Sequence, residues 1–146
     1  MSTRASILLT STDPNSDDPV WMYRHCDGYP SSVVPSIAAA QDLLAATDYQ
    51  RTRTPYMASL LCVAGYEPAR DITCADGSIY QVGATVSYRV DTGPASDAEY
   101  VYVISASAAG WHIQVRRPTR RWWDHPIMSH TRLIRRGMAA ELAAMT

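Results

Sequence analysis

The sequence predicts an α+β fold: a five-stranded, mainly antiparallel sheet in the element order ββααβββα, with helices packed on one face. Three observations carry this. Runs of strand period open the chain and return after residue 78, while two alanine-rich or leucine-rich stretches between them follow helical spacing. Hydrophobic residues make up 47% and charged residues 18% of 146 positions, enough apolar surface to offset chain entropy in one core. That length suits a single globular domain, 1–146.

Arg4 to Thr10 is aliphatic and β-branched, and the Pro, Asn, Ser and Asp residues of 12–18 end it as a turn. The run Pro19 to His25 alternates, with Val20, Met22 and Arg24 on one face and Trp21, Tyr23 and His25 on the other, which reads as the second arm of a hairpin. Asp27-Gly28-Tyr29-Pro30 stops it: Asp forms Asx turns, Gly accepts positive φ, and Pro cannot donate to a central ladder.

Ser31 to Thr47 is alanine-rich, with Val34, Ile37, Ala38, Gln41 and Leu44 on one face and Pro35 in the first turn, so a helix is expected. A second is expected from Pro55 to Ala64, capped by Thr54 and stopped at Gly65, with Met57, Leu60, Leu61 and Ala64 inward. The period then switches. Ser78 to Val90, Glu99 to Ser105 and Trp111 to Arg116 read as three strands of an antiparallel meander. A final helix is expected over about 129–145, with Leu133, Arg136, Ala140 and Ala144 on one side.

All 13 basic residues are Arg, and the net charge of −1 conceals a polarity. Residues 1–99 carry six Arg against twelve acids, whereas 100–146 carry seven Arg against Asp124 and Glu141. Such asymmetry points to a basic binding face and says nothing about fold. With no Phe, aromatic packing falls on nine Tyr and four Trp, whose polar tips need partners when buried. The three cysteines, Cys26, Cys62 and Cys74, lack paired spacing, and no run of 18 apolar residues occurs. A reduced, cytoplasmic protein without a membrane segment is therefore the expectation.

Tyr23 to Pro30, YRHCDGYP, resembles the turn of a family of small phage-, prophage- and plasmid-encoded proteins, which carry an RHxDGYP-type sequence after a strand pair and an aromatic Y-x-Y strand pair later. Tyr100, Tyr102 and Trp111 occupy comparable places, so the likeness in element order spans about residues 4–115. It implies a mobile genetic element in a bacterial host cell, and assigns no activity.

Within that turn, His25 beside Asp27 has the residue types of a general-base pair, but Arg24, His25, Asp27, Gly28, Tyr29 and Pro30 are more simply read as a structural turn. Metal spacing is lacking: His125 and His130 are five apart and no CxxC occurs, so no metal and no cofactor are expected. The most informative stretch is the connection 116–126, in which Arg116, Arg117, Arg120 and Arg121 adjoin Trp122 and Trp123 and prolines keep the chain extended. Arg132, Arg135 and Arg136 extend it as a second cluster. Arg and Trp are the residues of protein hot spots, and equally of stacking on single-stranded DNA or RNA. The expectation is a non-enzymatic interaction protein that binds a host protein complex, an inhibitor of a defence assembly such as a CRISPR surveillance complex. The alternative is a single-stranded nucleic-acid module using Arg116 to Arg136. A homodimer is expected through the meander or through Trp122 and Trp123.

Overall fold

The structure, a computed structural model, describes residues 2–13, 18–43 and 52–118, and the backbone of 125–126 and 132–134. Eleven strands and two helices follow in order among them: β1 (Ala5–Ser11), β2 (Val20–Arg24), α1 (Pro30–Asp42), α2 (Thr54–Ala64), β3 (Tyr66–Glu67), β4 (Arg70–Thr73), β5 (Ile79–Val82), β6 (Thr85–Val86), β7 (Tyr88–Asp91), β8 (Tyr100–Ser107), β9 (Gly110–Arg117), β10 (His125–Pro126) and β11 (Arg132–Ile134). The main sheet runs β10-β9-β8-β1-β2-β7, with β11 also on β9. Its five-stranded body, β9 to β7, is antiparallel except where β8 lies parallel to β1. The class is α+β, as the sequence patterning implies.

Alternation along the strands sorts their side chains. Ala5, Ile7 and Leu9 of β1 share a face with Met22 of β2 and with Tyr102, Ile104 and Ala106 of β8, and the last three lie opposite Val115, Ile113 and Trp111 of β9. All are fully buried, together with Val33 and Ile37 of α1 and Met57 and Leu61 of α2. Each such large apolar side chain contributes roughly 1.5–3 kcal/mol over leaving it in water. Both helices thus cover one face.

The helix starts differ in detail from expectation. Pro30 enters the first turn of α1, where its missing N–H costs nothing, and Tyr29 before it is extended, as a residue preceding proline must be. Pro35 falls one turn further in. Thr54 does not cap α2: Arg53 holds that position, and the Thr54 hydroxyl donates instead to the Asp18 carbonyl at 2.8 Å, tying α2 to the entry of β2.

The meander needs correction. Only β8 and β9 form the expected hairpin; β7 sits at the far edge, on β2. Residues 92–99 carry the chain back across the face opposite the helices. There the Ala95 N–H donates to the buried Ser6 hydroxyl at 2.9 Å, Arg4 pairs with Asp97 at 3.2 Å, and the Glu99 N–H donates to the Arg4 carbonyl at 2.9 Å. The run 78–90 is three strands, and most of it is an exposed arm. In this arm β3 pairs with β6 and β4 with β5, and its residues alternate because the strands are two-sided, without facing a core. Arg132–Ile134, expected in the final helix, pairs with Trp111–Ile113 of β9. The outer edge of β9, opposite β8, offers backbone partners that outweigh a weak helical pattern. The remainder of 129–145 lies outside the described residues.

Two truncations separate this topology from the meander. Ile104→Ala is expected to cost about 2–5 kcal/mol in urea unfolding, and Val86→Ala within about 0.5 kcal/mol, because Val86 is on the arm. Equal costs would place Val86 in the core.

Candidate interaction surface

The YRHCDGYP stretch folds as a clasp. After β2 the chain turns with Asp27 at φ 54, so the left-handed position expected of Gly28 belongs to its neighbour. Gly28 is required for closeness instead: a Cβ there would lie 2.9 Å from the Arg4 carbonyl carbon and the Thr3 oxygen. Its N–H donates to the Thr3 carbonyl at 2.8 Å, and its carbonyl accepts from the buried Tyr102 hydroxyl at 2.6 Å. Arg24 braces the turn, donating from Nε to the Cys26 carbonyl at 2.8 Å while its guanidinium lies 4.9 Å from the Tyr88 ring centroid. Pro30 then opens α1.

His25 does not meet Asp27. Its Nδ1 lies 3.3 Å from the Tyr23 hydroxyl, at a small cleft of about 160 Å³ lined also by Val86, Ser87 and Arg89. Burial, with Asp97 nearby, raises the Tyr23 phenol above its ordinary range, so it stays protonated and uncharged near neutral pH. Among the described residues no three His, Cys, Asp or Glu side chains gather as metal ligands, and Cys26, Cys62 and Cys74 are free thiols.

The clasp and the start of the arginine-rich connection meet at one end of the sheet. Arg117 places its guanidinium 5.4 Å from the Tyr100 ring centroid, and Tyr100 meets the exposed Tyr29 edge-on at 6.1 Å. Arg116 faces the other side, donating from Nε and Nη2 to Gln114 Oε1 at 2.8 and 2.6 Å. Arg120, Arg121, Trp122, Trp123, Arg135 and Arg136 lie outside the described residues, and Arg132 is described by its backbone alone.

The surface that sequence reasoning missed is the arm. Tyr66, Ile79, Tyr80 and Val86 are each more than half exposed on it, with Ile72 opposite Tyr80 and Arg70 opposite Val82. Its tip is a tight turn in which Gly77 takes φ 83 and Asp76 accepts from the Ser78 N–H and hydroxyl at 2.9 and 2.6 Å, bonds that hold the Asp76 carboxyl below the usual range. The Asp76-Gly77 pair between two alternating runs was the available signal. Comparison with family models, curated proteins and solved structures finds no match to this chain.

The clasp carries its own test. Tyr102→Phe keeps the ring and orphans the Gly28 carbonyl, which is expected to cost about 1–3 kcal/mol near neutral pH. Burial raises the Tyr102 phenol well above its ordinary pKa of about 10, so the folded state holds the proton more tightly than the unfolded chain. Its stabilisation is complete below that pH and is lost as pH climbs above it. The variant should therefore show a shallower alkaline fall in urea-derived stability than the parent; parallel curves would detach Tyr102 from the clasp.

Proposed function

We propose that the chain is a non-enzymatic interaction protein of a mobile genetic element, which inhibits a host defence complex by covering part of its surface. The exposed arm carries this reading. A hairpin with no core of its own, bearing two tyrosines, an isoleucine and a valine toward solvent, is a surface whose apolar area is satisfied only against a partner. Tyrosine is enriched at binding hot spots because it adds large contact area at small entropic cost. The mobile-element setting rests on the likeness of Tyr23 to Pro30, and the choice of a defence complex such as a CRISPR surveillance assembly follows from that setting.

A second reading, contact with single-stranded DNA or RNA, is favoured by Arg117 stacked on Tyr100 beside Tyr29, a pairing that also suits a nucleotide base and its phosphate. Arg116, Arg120, Arg121, Trp122, Trp123, Arg132, Arg135 and Arg136 would continue that surface.

In a phage-plating assay with an active defence system, the parent chain should raise plating efficiency. The double variant Ile79→Asp with Tyr80→Ala should lose this effect and bind the purified surveillance complex roughly 30-fold or more weakly, with unchanged circular dichroism. Undiminished interference with the parent chain rejects the inhibitor reading. Nucleic-acid contact predicts instead a single-strand affinity that falls steeply with salt, and Arg120→Ala with Arg121→Ala flattening the log-log slope by about 0.7 per lost phosphate contact.

A further inference from the structure

Strand β7 ends the main sheet: β2 pairs with one of its edges, and no strand among the described residues pairs with the other. Its four residues are Tyr88, Arg89, Val90 and Asp91. Tyr88 is buried, its hydroxyl sharing a hydrogen bond with Ser36. Val90, on the helix-covered face, is nevertheless 62% exposed and borders an apolar cleft of about 540 Å³ lined with Val20, Pro55, Ala58, Cys62 and Val63. Arg89 and Asp91 project from the opposite face. Arg89 lies over the Tyr23 ring at 4.7 Å and Asp91 Oδ1 accepts from the Thr92 N–H at 2.8 Å, and neither forms an ion pair among the described residues.

We infer that this edge is the contact with a second copy of the chain, paired antiparallel about a two-fold axis through Val90. Facing residues in an antiparallel pair share a face, and a two-fold axis normal to the sheet preserves faces, so the axis must pass through a residue opposite its own copy. Four registers then exist. An axis at Arg89 sets arginine against arginine, and one at Asp91 sets aspartate against aspartate, both repulsive. An axis at Tyr88 leaves Arg89 facing Ser87. Only the axis at Val90 sets Arg89 against Asp91 of the second copy, twice, on one face. On the other face it sets Val90 against Val90, where the two apolar clefts run together. The pairing joins two sheets into one and covers an edge that is otherwise a template for uncontrolled association. It also sends the two arms from opposite ends of the joint.

Sedimentation velocity over a micromolar dilution series tests this. The parent chain is expected to pass from monomer to dimer. Arg89→Asp alone and Asp91→Arg alone should each abolish the dimer, since each sets like charges face to face at both ends of the joint. Mixing the two single variants should restore it as a heterodimer, because both facing pairs are then of opposite charge, and the double variant should restore it as a homodimer. A folded parent chain that stays monomeric throughout overturns the proposal, as does a dimer that persists in both single variants or a mixture that stays monomeric. Circular dichroism on each variant separates lost pairing from lost fold.

Discussion

Strand β1 must be paired on both edges and covered on both faces, and the rest of the structure follows from how this is done. Ile7 and Leu9 are fully buried beneath the helices, and Ser6 is fully buried on the other face. A strand so enclosed cannot leave backbone N–H or carbonyl groups unbonded without a cost of a few kcal/mol each. Its first partner, β2, is local. The second, β8, arrives after more than seventy intervening residues and runs parallel, so the chain between has to leave the sheet after β2, rejoin it at the far edge as β7 and cross back. Two helices take up that connection over one face, and the segment 92–99 closes it over the other.

The clasp at Gly28 shows how local sequence and distant packing depend on each other. The turn is closed from three sides: by Thr3 before β1, by Tyr102 in β8 and by the start of α1. A residue with a Cβ would push the Thr3 to Arg4 backbone away, and removing the phenol would leave a buried carbonyl without a donor. The residue types that resemble a general-base pair thus serve the turn. His25 leans on Tyr23, Asp27 takes the left-handed backbone position, and Arg24 spans to Cys26 and Tyr88.

Exposure is concentrated where the fold has no second layer. The helices cover β9 to β2 well, but α2 only partly shields β7, and the arm from Tyr66 to Val86 has no layer at all. A hairpin of this kind is marginal in isolation, so its order depends on its root, where the Ser87 N–H donates to the Gly65 carbonyl at 2.8 Å. The interaction proposed for the arm and the self-pairing proposed for β7 would use adjacent but separate surfaces, so that a dimer would present two arms at once.

Much of the architecture was legible in the sequence because it rests on short-range periodicity. The alternation of β1, β2, β8 and β9, the helical spacing of Val34, Ile37, Met57 and Leu61, and the punctuation at Asp27 to Pro30 are all local properties of the chain. Strand neighbours were not legible, since alternation states which residues share a face and not which strand lies alongside. Val82, Val86 and Val90 alternate as a core strand would, yet only the tertiary structure put the first two on an exposed arm and the third at a sheet edge. The cluster of Tyr29, Tyr100 and Arg117 was likewise hidden, because its members are brought together by the clasp and by the register of β8 with β9. What the sequence determined alone was the fold class and the turn; what the tertiary structure decided was the strand order and every surface a partner would meet, because pairing between distant strands is chosen by the whole core at once.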